Sequence, residues 1–142
     1  MNMRQITPTY FVSPQIDAAD FAELAKAGIK RVICNRPDSE IGPDQQHDRL
    51  QQAATSAGID FAFLPLTHTT MTPDNVQRQG DLIASADGPV LAFCASGTRS
   101  SVVWALSQAH TQSANDILAA TKAAGYDLDG LRPTLEALAQ QG

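Results

Sequence analysis

Short apolar runs, set apart by helical stretches, constrain this chain more than any other feature. Arg31-Val-Ile-Cys34, Phe61 to Leu66 and Val90 to Phe93 are brief and nearly unbroken in apolar character. Strands look like this when both faces of their sheet are covered. Tyr10-Phe-Val12 supplies a further short strand at the amino end. Between these runs lie helix signals. Asp17 is a good N-cap, Phe21, Leu24 and Ala25 give an apolar face, and Gly28 is the stop. A polar helix is expected from about Pro43 to Ala57, ended by Gly58. Thr72-Pro73-Asp74 reads as an N-cap, a first-position proline and a first-turn acid. That helix is expected to run to about Ala86, where Asp87-Gly88-Pro89 breaks it. Only helices follow the last strand, over about Ser100–Gln108, Ser113–Ala124 and Leu131–Gln140. Helices between short apolar strands are crossover connections. The expected fold is therefore α/β: a central, mostly parallel sheet flanked by helices, with a helical carboxyl-terminal part.

Length and charge narrow the function. The 142 residues are expected to form one domain, residues 1–142. The formal charge is −5, and ten Lys and Arg cannot build the basic face that a general nucleic-acid binder needs. Cys34 and Cys94 are too few for a disulfide scaffold, so a reducing, cytoplasmic setting is expected. Met1 to Val12 does not read as a secretory leader, and the apolar runs are too short to span a bilayer. No nucleic-acid or membrane partner is expected.

The chemistry is concentrated in Pro89-Val-Leu-Ala-Phe-Cys94-Ala-Ser-Gly-Thr-Arg99-Ser100-Ser101. A strand ends in a cysteine, small residues follow, then an arginine opens a helix. Ligands of open parallel sheets bind beyond the carboxyl ends of strands, where Cys94 is predicted. Ala95, Ser96, Gly97 and Thr98 let the backbone curl with its N–H groups inward. Backed by a helix N-terminus, that curl is an anion site. Arg99 adds a planar fork of donors for an oxyanion. The same field is expected to favour the Cys94 thiolate, the nucleophilic form. Ser100 is expected to donate to the sulfur and help it leave after a covalent step. A buried, inert cysteine beside a simple turn is the competing reading, and it leaves Gly97, Arg99 and Ser100 unexplained.

At these residues the chain resembles the cysteine-dependent phosphatase superfamily. More narrowly it is similar to the bacterial family described as the phosphatase-like domain of beta-lactamase-hydrolase-like proteins. The likeness covers Phe11-Val-Ser-Pro-Gln15, Gly28-Ile29 before Arg31-Val-Ile-Cys-Asn35, Arg36-Pro-Asp-Ser-Glu40, the Cys94 loop and Tyr126-Asp-Leu. It implies a dual-specificity-phosphatase-like fold with Cys94 at the base of the pocket. Phosphatases of that superfamily place five residues between Cys and Arg; here there are four. Rhodanese-type sulfurtransferases also use four, around a single persulfide sulfur. Phosphatases further carry a mobile Asp that protonates the leaving oxygen. Asp74 is the one carboxylate in the matching stretch Thr67 to Asp74, and helix-start geometry already accounts for it.

The short loop and the thin case for an acid point toward sulfur transfer, because sulfite and thiolates leave as stable anions. The expected function is thus a cysteine-dependent enzyme with a covalent intermediate on Cys94, leaning to a persulfide relay. Its small anionic substrate would be a sulfane-sulfur donor, with a thiol as acceptor. Hydrolysis of phosphomonoesters through a phosphocysteine is the alternative, and a non-catalytic anion-binding module is the third reading. Arg36 is expected on the rim, adding positive potential beside Asp38 and Glu40. Cys34 is either a resolving thiol for Cys94 or a core thiol. His47, His68 and His110 are scattered, so neither a metal nor any other cofactor is expected.

Overall fold

The computed structural model describes residues 1–141. Five four-residue strands form one sheet: β1 (Arg4–Thr7), β2 (Tyr10–Ser13), β3 (Arg31–Cys34), β4 (Asp60–Phe63) and β5 (Val90–Phe93). Their order is β1-β2-β5-β3-β4, with β1 antiparallel to β2 and all other pairs parallel. The helices are α1 (Phe21–Lys26), α2 (His47–Ala57), α3 (Pro73–Ala84), α4 (Thr98–Ser107), α5 (Ala114–Ala123) and α6 (Arg132–Gln141). Among the described residues no helix is long and apolar enough to cross a membrane.

β5 shows why its residues are all apolar. It lies between β2 and β3, so helices cover it on both sides, and alternation sends successive side chains to opposite faces. Val90 and Ala92 join a core with Tyr10, Val12, Val103, Trp104, Ile117 and Leu135, beneath α3 to α6. Leu91 and Phe93 join the opposite core with Phe21, Leu24, Val32, Cys34, Leu50 and Ala54, beneath α1 and α2. Each fully buried Leu or Phe contributes about 1.5–3 kcal/mol against the entropy of ordering the chain.

Three expectations are corrected. The first strand is β1, which the sequence hides because Ile6 is its one buried residue and an edge strand needs no second apolar face. β4 ends at Phe63, although Leu64 and Leu66 remain buried and donate to the Cys34 and Asn35 carbonyls. The register slips there: Leu64 donates to Cys34 but Leu66 to Asn35, one residue short of the regular step. Pro65 sits between them on the edge strand, where its missing N–H faces away from β3. α2 starts at His47, later than Pro43, because the Asp38 carboxylate accepts from the His47 N–H at 2.9 Å and caps the helix from another loop. Pro43–Gln45 is a separate 3-10 turn. The start of α3 agrees with the sequence: Thr72 accepts from Asn75 N at 3.2 Å, with Pro73 first in the helix.

Candidate active site

The carboxyl ends of β2, β3, β4 and β5 meet at one edge of the sheet, and Cys94 is the first residue beyond β5. It is 1% exposed. Its backbone N–H donates to the carbonyl of Ser13, the last residue of β2, at 3.4 Å. Its Sγ accepts from the Gly97 N–H at 3.1 Å, so the loop curls with at least one amide aimed at the sulfur. Gly97 makes the curl possible with φ +95° and opens α4, which points its N-terminus at the loop. Ser101 Oγ donates to the Gly97 carbonyl at 2.8 Å, and Tyr126 OH donates to the Ser96 carbonyl at 2.9 Å. Ala95, Ser96 and Thr98 are exposed around the rim of this curl.

Arg99 reaches back across the mouth. Nη1 donates to the Leu66 carbonyl at 2.9 Å and to Glu40 Oε2 at 2.9 Å, and Nη2 donates to Glu40 Oε1 at 2.8 Å. The hydrogen-bonded Glu40 raises the Arg99 pKa, and Arg99 in turn holds the Glu40 carboxyl below the usual carboxylate range. Glu40 is therefore an anion at neutral pH and no proton donor. The Cys94 sulfur is close enough to favour the charged guanidinium as well.

A buried polar layer fixes this loop from below. Asn35, Gln79, Ser100 and Tyr10 are all fully buried. Asn35 and Gln79 exchange amide hydrogen bonds at 3.0 and 3.3 Å, Asn35 Nδ2 donates to the Leu64 carbonyl, and Tyr10 OH donates to the Ser100 carbonyl at 2.7 Å. Ser100 Oγ donates to Asn35 Oδ1 at 2.9 Å. From sequence this hydroxyl is expected to donate to the sulfur. In the structure it donates to a buried oxygen that also accepts from Gln79 Nε2, and not to the sulfur. Among the described residues every buried side-chain polar atom has a partner.

Three other expectations change in detail. Arg36 is braced in place: Nε donates to Glu40 Oε1 at 3.1 Å, Nη2 to the Glu40 carbonyl at 3.4 Å, and Nη1 to Gln15 Oε1 at 3.3 Å. Asp74 is exposed in the first turn of α3, and none of the hydrogen bonds that hold the Cys94 loop reaches it. His47 is not isolated: Nδ1 and Asp38 Oδ2 lie 2.6 Å apart, and its ring stacks on Phe63 with centroids 3.9 Å apart.

Cys34 behaves as a core thiol. It pairs with Phe93 and shares that face of the sheet, whereas alternation along β5 turns the following residue to the other side. Its thiol donates to the Arg36 carbonyl at 3.4 Å. Burial pushes its pKa from an ordinary 9.0 up to about 12. A buried acid with a raised pKa stabilises the fold below its unfolded value, and the benefit is lost as pH rises toward its folded value. Unfolding free energy should therefore fall by about 1.4 kcal/mol per pH unit above roughly pH 9. Urea titrations of wild type and Cys34→Ala across that range check this. Equal alkaline slopes in the two proteins would refute the assignment to Cys34.

Residues 2–111 match the family described as beta-lactamase hydrolase-like protein, phosphatase-like domain. The beta-lactamase hydrolase-like protein of Xylella fastidiosa is 32% identical over 130 residues, which is 90% of this chain. The chain spans 30% of that relative's length. A crystal structure of a candidate phosphatase from Neisseria meningitidis superposes with a TM-score of 0.85 at 32% identity, covering 97% of this chain and 99% of that one. PTPMT1 in complex with PI(5)P shares the fold at a TM-score of 0.75 and 16% identity, over 99% of this chain and 96% of that chain. These likenesses bear out the expected phosphatase-like fold and favour the phosphatase alternative over the sulfur relay. By sequence over most of its length, the chain belongs to the phosphatase-like domain family of beta-lactamase hydrolase-like proteins.

Proposed function

We propose that the chain is a cysteine-dependent phosphomonoester hydrolase. The observation that carries this reading is the Cys94 sulfur, seated under an inward amide and beside a clamped arginine, in a chain whose relatives by sequence and fold are phosphatase-like. The Cys94 thiolate attacks phosphorus, an S–P bond forms, and the ester P–O bond breaks with its electron pair on the departing oxygen. Water then attacks phosphorus, the S–P bond breaks, and thiolate and inorganic phosphate are released. The loop amides and Arg99 stabilise the equatorial oxygens throughout.

Of the two carboxylates considered, neither is placed to protonate the leaving oxygen. Glu40 is held ionised and Asp74 stands outside the hydrogen-bonded loop. Substrates whose leaving group departs as a stable anion, such as aryl phosphates, fit this chemistry better than alkyl phosphates. The PI(5)P bound by PTPMT1, whose leaving oxygen is alkyl, supports phosphomonoesters as the substrate class and not the aryl preference within it.

A second reading has one observation in its favour. The ring between Cys94 and Arg99 holds four residues, a smaller amide cradle than the superfamily gives a phosphoryl group. In that reading Cys94 accepts a sulfur atom from thiosulfate, releases sulfite, and passes the sulfur to a thiol. Two measurements on the same preparation separate the readings. Turnover of p-nitrophenyl phosphate that depends on Cys94 supports the hydrolase. A gain of one sulfur atom on Cys94 after incubation with thiosulfate, with no phosphate turnover, replaces it with the relay.

A further inference from the structure

Arg99 has five N–H bonds arranged in a plane. Three of them are taken: one Nη1–H by the Leu66 carbonyl, the other Nη1–H by Glu40 Oε2, and one Nη2–H by Glu40 Oε1. The Glu40 contact is thus end-on, across the two terminal nitrogens. The bonds left over are Nε–H and the outer Nη2–H. In a guanidinium these two point in parallel from one edge, which is a ready fork for two oxygens of an anion.

Glu40 is itself held in place from several sides. Arg36 donates to its carboxylate and to its carbonyl, and Arg36 is tied to Gln15 beyond β2. Glu40 closes a 3-10 turn, Asp38–Glu40, that follows Pro37. The first residue of that turn, Asp38, grips both the N–H and the ring of His47 at the start of α2. The carboxylate therefore sits on a braced loop and does not hang from a free side chain. The Arg99 and Glu40 side chains are 20% and 32% exposed, so the pair is only partly screened by water.

We propose that Glu40 is a positioning residue for the anion site: by holding Arg99 end-on, it presents the Nε and Nη2 edge to an oxyanion over Cys94. The proposal rests on the Cys94 loop being an oxyanion site, as in the function proposed above. Glu40 neither attacks nor donates a proton. It removes the rotamer freedom of Arg99 before substrate arrives, and that preorganisation appears as affinity. The opposite assignment is a plug, in which Glu40 competes with the anion for Arg99.

The test uses inorganic phosphate as the probe and alkylation of Cys94 by iodoacetate as the readout, so that it does not depend on turnover. Phosphate should protect Cys94 in the wild type. Glu40→Ala should raise the phosphate concentration needed for half protection about tenfold, an effect of the size seen when a charge-assisted contact is lost. Glu40→Gln keeps one carbonyl acceptor toward Arg99 and should recover part of that loss. With p-nitrophenyl phosphate, Glu40→Ala should raise KM more than it lowers kcat, a split that general loosening of the fold would not produce. Glu40→Gln, nearly identical in shape, keeps the test decisive if Glu40→Ala folds poorly. Equal or tighter phosphate protection in both variants would overturn the positioning role and favour the plug. A wild type that phosphate does not protect would overturn the oxyanion site itself, and the proposal with it.

Discussion

Replacing Cys94 with serine is expected to lower turnover of p-nitrophenyl phosphate by about 10⁴-fold or more, because the covalent step is removed outright. The fold should hardly notice. The substitution exchanges sulfur for oxygen at a buried position where the Gly97 N–H already supplies a donor, and a serine oxygen accepts that bond equally well. A melting temperature within about 2 °C of wild type is the expected companion result, given a cost well below 1 kcal/mol. Arg99→Lys should fall between the two, losing about 10²–10³-fold, because an ammonium is a point charge and cannot present two parallel N–H bonds. Brief incubation with substrate followed by acid quench and intact mass should show one phosphoryl group on the wild type and none on Cys94→Ser. If Cys94→Ser keeps turnover at the wild-type level, the activity resides elsewhere in the molecule.

How far the sequence reveals this site depends on how local each part is. Val90–Phe93, the cysteine after it and the glycine that curls the loop are contiguous, and the structure places each where the apolar run and the helix signals put them. Thr72, Pro73 and the start of α3 are equally local. The failures all cross long distances in sequence. Glu40 meets Arg99 across 59 positions, and nothing in Arg36-Pro-Asp-Ser-Glu40 says that its acid faces a helix so far away. As a five-residue motif it reads as part of the rim, with no partner indicated for its acid. The hydrogen-bond partner of Ser100 is hidden for the same reason. The nearest neighbours of Ser100 in sequence suggest the sulfur, but Asn35, 65 positions distant, offers its buried side-chain oxygen as the acceptor. The one available signal was Asn35 itself, an amide directly after the buried run Val32-Ile-Cys34. A polar residue in that position needs partners, and Ser100 and Gln79 are those partners.

Gly97→Ala should be the most damaging single methyl group in the protein. Two independent costs apply. At φ +95° the backbone lies in the left-handed region, where an alanine costs about 1–2 kcal/mol relative to glycine. The added Cβ would also run into Tyr126, meeting its hydroxyl oxygen and lying 2.9 Å from Cζ. Overpacking of that kind costs about 1–3 kcal/mol more. Together they predict a melting temperature lower by roughly 10 °C for a chain of this size. Activity should fall further than stability, because the Tyr126 hydroxyl that would be displaced also holds the Ser96 carbonyl, and the Gly97 N–H is the amide aimed at the sulfur. Gly28→Ala is the matched control: φ is +88°, yet nothing lies within 4 Å of an added Cβ, so only the backbone cost of about 1–2 kcal/mol remains. A double-mutant cycle with Tyr126→Phe separates the two costs at Gly97. Removing the hydroxyl should return part of the loss, so the pair should be less harmful than the sum of its singles. Strict additivity would mean that the contact with Tyr126 costs nothing, and that backbone strain alone makes glycine necessary at this turn.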